Sequence, residues 1–188
     1  MSAPASVRAQ AIHPDPPPAV QAVPLQVPII LDGRLTEDVW RTAPAATEFR
    51  QSEPKEGEAA TQRTEVRFAY DHDALYIGAR MFDAQGAAGV RTRLVRRDGD
   101  VSSDYLEIIF DTFHDHLGRV FFLINPSGVR GDSYAPGGSE DDDSWDPVWE
   151  VKTTIDSLAG PRRRAFRSRS CAIRGRRTRP GDSRSGAR

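Results

Sequence analysis

An alternation of apolar and polar residues between positions 66 and 83 constrains the fold most strongly. The stretch reads VRFAYDHDALYIGARMFD; its alternation runs to Tyr70, breaks at Asp71-His72-Asp73 and resumes at Leu75. Successive side chains of a β-strand point to opposite faces of the sheet, so the pattern predicts two strands joined by a short turn.

Three later stretches continue this pattern. Residues 104–111, DYLEIIFD, place three apolar residues on one face, which predicts a strand with one face in the core. Residues 120–124, VFFLI, are apolar on both faces and predict a central strand, and residues 149–155 predict a strand with Trp149 on its core side. Repeated alternation separated by turn signals predicts a mostly β fold, an antiparallel β-sandwich.

A short helix is predicted near the start of this domain. Thr36 is expected to cap the helix through its hydroxyl, two acidic residues follow in the first turn, and Pro44 marks the end, which predicts a helix over residues 36–43. Trp40 is expected to pack in the core; the alternative is that it stacks on a ligand.

Charge is distributed unevenly along the chain. Residues 161–188 contain 11 of the 26 basic residues and one acidic residue, so residues 1–160 carry 15 basic against 26 acidic residues. This acidic balance argues against nucleic acid as a partner. No apolar run approaches the roughly 18 residues of a membrane helix, so no membrane insertion is expected. The single cysteine, Cys171, permits no internal disulfide.

Composition divides the 188 residues into three parts. Residues 1–27 are rich in proline and alanine and are interpreted as a disordered linker, or as the remnant of a secretory signal, because Ala9-Gln10-Ala11 has the form of a cleavage site. Residues 28–158 form the predicted sandwich. Residues 159–188 are an arginine-rich tail without apolar periodicity.

The order of these motifs resembles the family 9 carbohydrate-binding domain. The matching segments are YDHDALYIGARMFD, SDYLEIIFDTFHDH, INPSGVRGD and SWDPVWEV, which begin at residues 70, 103, 124 and 144. The form that they resemble most stands at the amino-terminal end of large bacterial envelope proteins that end in an outer-membrane β-barrel. The resemblance implies a jelly-roll-like β-sandwich that binds carbohydrate.

The loop at residues 131–146, GDSYAPGGSEDDDSWD, carries the candidate ligand groups. Tyr134 and Trp145 offer aromatic faces, on which the apolar C–H surface of a sugar ring stacks. Asp143 and Asp146 offer carboxylates for the hydroxyl groups of the sugar. These four residues are the predicted ligand-binding residues.

The same loop contains consecutive acidic residues. Asp141, Asp142 and Asp143 repel one another unless they are solvated or bound to a cation, and hard oxygen ligands suit calcium. The resemblance adds that calcium occurs in family 9 domains. The spacing differs from an EF-hand loop, and a solvated acidic loop is the alternative. No cofactor is required by either interpretation.

Two further stretches allow a binding or a structural interpretation. The connection DTFHDHLGR, residues 111–119, places His114 and His116 beside aspartates, which fits a zinc site or a charged hairpin connection. Four arginines within residues 91–97 fit an anion site; the alternative is a solvated loop or a short strand.

A non-catalytic module that binds polysaccharide or oligosaccharide is the predicted function, as the resemblance implies. A glycosidase needs two carboxylates held across one cleft, and every carboxylate here lies in a strand pattern or an exposed acidic run. One alternative is a structural or interaction domain on the periplasmic side of an outer-membrane barrel, and a fragment of a glycoside hydrolase ranks last. The resemblance implies a periplasmic or cell-envelope location.

The tail, residues 159–188, is interpreted as an out-of-frame, disordered segment. It holds 11 arginines and no lysine, and it begins where the sandwich still needs a partner strand. Family 9 relatives continue after Thr-Thr-Ile-Asp with Gly-Trp and a strand of the form RIPFSQLR, and both segments can be encoded here in a shifted reading frame. The alternative is a genuine basic tail that binds acidic surfaces.

Overall fold

Two β-sheets make up most of the structure. The computed structural model describes residues 18–92, 94, 96–97, 103–137 and 140–155, together with the backbone of residues 167–176. In chain order the elements are β1 (Val23–Pro24), α1 (Asp38–Thr42), β2 (Ala45–Ala46), β3 (Thr64–Tyr70), β4 (Ala74–Asp83), a 3-10 helix (Gly86–Gly89), β5 (Leu106–Phe110), β6 (Arg119–Ile124), β7 (Arg130–Ala135), β8 (Trp149–Ile155) and β9 (Arg167–Arg176). The larger sheet has the order β1-β3-β4-β9-β8, with β2 beside β3, and the smaller sheet has the order β5-β6-β7.

The β3–β4 hairpin follows the predicted alternation. Its antiparallel register places Phe68 opposite Ile77. Asp71 closes the turn, because its Oδ1 accepts hydrogen bonds from the backbone N–H groups of Asp73 and Ala74, each at 2.8 Å. Short acidic side chains favour turns through such bonds to their own backbone.

The inner faces of the two sheets pack against each other. Val66, Ile77 and Trp149 of the larger sheet form one buried cluster with Ile124 of the smaller sheet. The apolar face predicted for residues 104–111 packs against this cluster; it consists of Leu106, Ile108 and Phe110. Strand β6 is central in its sheet, as its two apolar faces predict. The predicted antiparallel β-sandwich is confirmed.

A second apolar cluster lies on the opposite face of the larger sheet, beneath helix α1. Trp40 belongs to it and is 3% exposed, which confirms its predicted place in the core. Its ring lies directly over Gly78 of β4, where an added Cβ would come within 2.8 Å of the indole. Because of this close approach, the strand needs glycine at position 78.

Helix α1 is shorter than predicted, and its predicted cap is wrong. Glu37 occupies the N-cap position, and no side chain makes a capping hydrogen bond there. The Glu37 carboxylate accepts a hydrogen bond from the backbone N–H of Ile30 at 3.2 Å, and the helix itself begins at Asp38. None of the helices in the described part of the chain has the length and apolar character of a membrane-spanning segment.

The larger sheet begins within the segment predicted as a linker, residues 1–27. Val23–Pro24 pair in parallel with the end of β3, and the backbone N–H of Leu25 donates to the carbonyl of Tyr70 at 2.8 Å. Pro24 is tolerated because β1 is an edge strand, whose outer side needs no donor. The linker prediction is therefore wrong for these residues, and residues 1–17 lie outside the described part.

Strand β9 lies within the segment predicted to be a disordered tail. Arg167–Arg176 pair antiparallel with β4 on one side and with β8 on the other. The prediction of disorder is wrong for these ten residues, because strand pairing satisfies backbone donors and acceptors whatever the side-chain pattern. Residues 156–166 and 177–188 lie outside the described part. The out-of-frame interpretation stays a prediction, which resequencing the gene across codons 156–175 tests.

Removing β9 should destabilise the domain. A chain that ends at residue 158 loses the strand that joins β4 to β8, and both edges are left unpaired. We expect the free energy of unfolding to fall by several kcal/mol, against a total of about 5–15 kcal/mol for a typical domain. Urea denaturation of the truncated and full chains measures the difference. Equal midpoints for the two chains would show that the tail adds nothing to the fold.

Candidate functional site

A series of aromatic side chains leads from the core towards the surface. Phe122 on β6 meets Trp149 edge-on, with ring centroids 5.0 Å apart, and meets Trp145 in the same way at 6.0 Å. Tyr134 on β7 also packs against Trp145, with centroids 6.0 Å apart. Trp149 is 3% exposed, which confirms its predicted core position, whereas Trp145 and Tyr134 are half-buried. Core contacts thus hold Trp145 in place while part of its indole remains accessible.

The backbone of the acidic loop is tied to β7. Asp142 donates its N–H to the carbonyl of Tyr134 at 2.8 Å and accepts from the Tyr134 N–H at 3.2 Å. The Asp142 Oδ1 accepts from the N–H and the Oγ–H of Ser144, at 3.0 and 2.6 Å. The N–H of Trp145 donates to the Asp142 carbonyl at 3.4 Å. These bonds determine where Trp145 meets β7.

A buried carboxylate anchors the polar side of the site. Asp132 lies on the same face of β7 as Tyr134, and 2% of its side chain is exposed. Its Oδ1 accepts hydrogen bonds from Nε1–H of Trp149 at 3.1 Å and from Arg97 at 2.6 and 3.2 Å. Arg97 also pairs with Asp146 at 2.6 Å, and the side chain of Asp146 is 72% exposed. The guanidinium of Arg97 therefore links the buried carboxylate of Asp132 to the exposed carboxylate of Asp146, the residue after Trp145.

Three of the four predicted ligand-binding residues come together. Trp145 and Tyr134 are in ring contact, and Asp146 follows Trp145 in the chain and binds Arg97. Asp143 is exposed in the same loop, and none of the contacts described above involves it.

Asp132 and Arg97 are functional candidates that the sequence did not predict. The predicted loop at residues 131–146 is wrong for residues 131–135, which belong to β7. The register of β7 places Asp132 opposite Phe122 and Tyr134 opposite Val120, on the inner face of the sheet. The spacing of Asp132 and Tyr134, two residues apart, was the signal for a shared strand face. Arg97 carried no local signal because its partner is 35 residues away. The solvated-loop interpretation is wrong for Arg97, whose anionic partners belong to the protein itself.

The acidic loop gives the calcium prediction no support. Within the described ranges, no group of three or more His, Cys, Asp or Glu side chains is arranged to hold a metal ion. Asp142 accepts from Ser144, and Asp141 lies 3.8 Å from the guanidinium of Arg119. The nearest described partners of these two carboxylates are therefore a hydroxyl and a cation rather than further oxygen ligands.

The connection at residues 111–119 has the geometry of a charged hairpin connection. Asp111 accepts hydrogen bonds from the backbone N–H groups of Asp115 and His116 at 3.2 and 2.9 Å. These bonds, that of His116 foremost, hold the pKa of Asp111 below its ordinary value of 3.8. The rings of His114 and His116 lie 5.4 Å apart and are exposed.

Comparisons with known proteins give a likeness of fold. A family 9 carbohydrate-binding module from Caldicellulosiruptor kristjanssonii in complex with glucose is 14% identical, with a TM-score of 0.47 over 85% of this chain and 69% of that chain. The same type of module in complex with cellotriose is 14% identical, with a TM-score of 0.48 over 84% of this chain and 67% of that chain. No family model matches the chain, and no curated protein matches it.

The Asp132 carboxylate should contribute strongly to stability. Asp132→Ala leaves the buried indole N–H of Trp149 without its acceptor and removes the buried partner of Arg97. We expect this change to lower the free energy of unfolding by about 3 kcal/mol. Asp146→Ala is the matched control, because it removes the exposed partner of the same guanidinium and should cost less than about 1 kcal/mol. Urea denaturation measures both, and equal losses would contradict the proposed role of Asp132.

The carboxyl group of Asp142 should titrate below the ordinary range of an aspartate. The hydrogen bonds from Ser144 hold the pKa of Asp142 below its ordinary value of 3.8. Because the folded pKa is depressed, these bonds stabilise the loop above the unfolded pKa and are lost as the pH falls through the folded value. We expect Ser144→Ala to raise the pKa of Asp142, as followed by NMR titration of the side-chain carboxyl carbon. An unchanged titration curve would show that Ser144 does not hold this carboxylate.

Proposed function

We propose that the protein binds polysaccharide or oligosaccharide chains at Trp145 without cleaving them. The observation that carries the proposal is the half-buried Trp145, whose neighbour in the chain, Asp146, forms an ion pair with Arg97. A pyranose ring presents an apolar C–H face and a rim of hydroxyl groups. An aromatic face with a carboxylate and a guanidinium beside it is complementary to both parts.

The site is organised before any ligand arrives. Phe122 and Tyr134 hold the indole of Trp145, and the Asp142 turn holds its backbone. Arg97 is held by the buried Asp132, so the exposed carboxylate of Asp146 has a defined direction. Groups that are already ordered lose little conformational entropy on binding, which favours affinity for a weakly interacting ligand such as a sugar.

The same geometry supports a non-catalytic role. The two carboxylates of the site, Asp132 and Asp146, bind one guanidinium, and Asp132 is buried. A glycosidase instead needs one carboxylic acid that delivers a proton to the glycosidic oxygen and a second carboxylate across the sugar. Neither of these two described carboxylates is placed as the general acid of a glycosidase. The site is therefore suited to holding a sugar ring.

A second candidate function is an interaction domain. Tyr105 and Ile109 are 56% and 53% exposed, and Ile109 pairs in register with Phe121. Alternation places these residues on the outer face of the smaller sheet, where apolar groups favour a protein contact over water. The sequence resemblance supports a location in the periplasm or cell envelope for either function.

Replacing Trp145 should weaken sugar binding. Native gels that contain soluble polysaccharides of different linkage measure retention, and we expect the wild-type protein to be retarded by at least one of them. Trp145→Ala should reduce the affinity about tenfold, because aromatic stacking is worth up to about 1.5 kcal/mol and about 1.4 kcal/mol corresponds to a factor of ten. Tyr105→Ala is the matched control, since it removes an exposed aromatic residue from the other side of the smaller sheet.

The control also separates the two candidate functions. Retention that is lost in Trp145→Ala and kept in Tyr105→Ala supports sugar binding at the proposed site. No retention on any polysaccharide, or equal retention of Trp145→Ala and the wild type, contradicts it. Thermal melting followed by circular dichroism verifies that both variants are folded.

A further inference from the structure

A cluster of arginines lies on the face of the larger sheet that is turned away from the smaller sheet. This arginine cluster consists of Arg63, Arg67 and Arg80 around the buried Glu65, which is 7% exposed. Alternation places Glu65 and Arg67 of β3 and Arg80 of β4 on the same face as Gly78, which lies beneath Trp40. The cluster is therefore separated from Trp145 by the thickness of the sheet.

Two of the three guanidinium groups form ion pairs with the Glu65 carboxylate. Arg63 Nη2 contacts one carboxylate oxygen, and Arg67 Nη1 contacts the other at 2.7 Å. Arg67 also donates through Nε to the carbonyl of Ala43 at 3.2 Å. Arg63 is 68% exposed and lies over the ring of Phe82, 5.0 Å from its centroid.

The third arginine, Arg80, has a buried Nε–H group that lacks an acceptor among the described residues. Arg80 stands directly opposite Glu65 in the strand register, and its Nε is fully buried. Among the residues that the structure describes, no acceptor lies within hydrogen-bond distance of this nitrogen. Buried polar groups in proteins almost always have a partner, and an unpartnered one calls for a bound water, ion or ligand.

Charge points to the kind of partner. Arg63 and Arg67 contact the Glu65 carboxylate, and Arg80 is the cross-strand neighbour of Glu65. These three arginines and one glutamate together carry two more positive than negative charges. The planar fork of arginine is matched by two oxygens of one anion, as in a carboxylate, sulfate or phosphate group. A neutral sugar hydroxyl or a water would satisfy the buried N–H but would leave the excess charge.

We propose that the arginine cluster is a second binding site, specific for an anionic oxygen group, with Arg80 as its principal donor. Arg63 is the mobile member, because most of its side chain is in solvent and it can turn from Phe82 towards a bound anion. The ligand chemistry is shared by tetrahedral oxyanions and by the carboxylate of an acidic sugar. This site is independent of the proposed function, since it shares no residue with the Trp145 site.

NMR of the arginine Nε–H groups in the full-length protein tests the proposal directly. Sodium sulfate, phosphate, acetate and glucuronate are titrated separately at constant ionic strength, with chloride as the balancing salt. We expect the Arg80 Nε–H signal to shift saturably in the millimolar range. Stronger binding of sulfate or phosphate identifies a tetrahedral oxyanion as the ligand, and stronger binding of acetate or glucuronate identifies a carboxylate.

Two variants complete the test. Arg80→Lys keeps the charge but removes the fork, and we expect it to weaken anion binding about tenfold, which a calorimetric titration measures. Arg34→Gln, a loss of charge at an exposed arginine outside the cluster, should leave binding unchanged. If the Arg80 signal of the wild-type protein shifts no more than that of Arg34 with every anion, the proposal is wrong, whether or not the variants fold.

Discussion

The carboxylate of Asp132 lies between the two sheets and also supports the surface site. It belongs to the smaller sheet, yet it accepts the indole N–H of Trp149 from the larger sheet. Its second donor, Arg97, continues to the exposed Asp146. An anion with 2% of its side chain exposed is costly to bury unless it is fully bonded, so the packing of the sheets and the position of Arg97 depend on each other.

Phe122 gives the site a rigid apolar support. The ring touches Phe110 within the smaller sheet, Trp149 across the sandwich and Trp145 at the surface. Displacement of Trp145 would therefore disturb core contacts, and the close packing of protein interiors resists such a change. If Trp145 is the stacking platform for a sugar, as proposed, its continuity with the core means that it need not be ordered first when the sugar binds.

The sheets could be predicted from sequence because their signal is local. The turn at Asp71 interrupts an alternation that runs for several residues on either side, and the central position of β6 follows from its two apolar faces. The prediction of Trp145, Tyr134 and Asp146 used composition alone. Tyr134 lies on β7, and the loop that follows β7 brings Trp145 against it. Asp143 was predicted on the same grounds, and no described contact joins it to the group.

Other features had no local signal. Arg97 binds Asp132, which lies 35 residues further along the chain, and no sequence pattern near residue 97 predicts this contact. Strand β9 lacks an apolar alternation, so its sequence predicted a tail; its place between β4 and β8 follows from backbone pairing. The Nε of Arg80, which has no acceptor among the described residues, becomes apparent only when the position of Arg80 opposite Glu65 is known.

The three tryptophans allow the central claim to be tested within one spectrum. Trp40 and Trp149 are each 3% exposed, whereas Trp145 is half-buried at the proposed site. The indole N–H signals are recorded by NMR while glucose, cellotriose and larger oligosaccharides are added. Sugar binding at this site predicts that the Trp145 signal shifts saturably with at least one of these ligands while that of Trp40 stays in place. A Trp145 signal that does not move with any of them, or a shift confined to Trp40, would contradict the account.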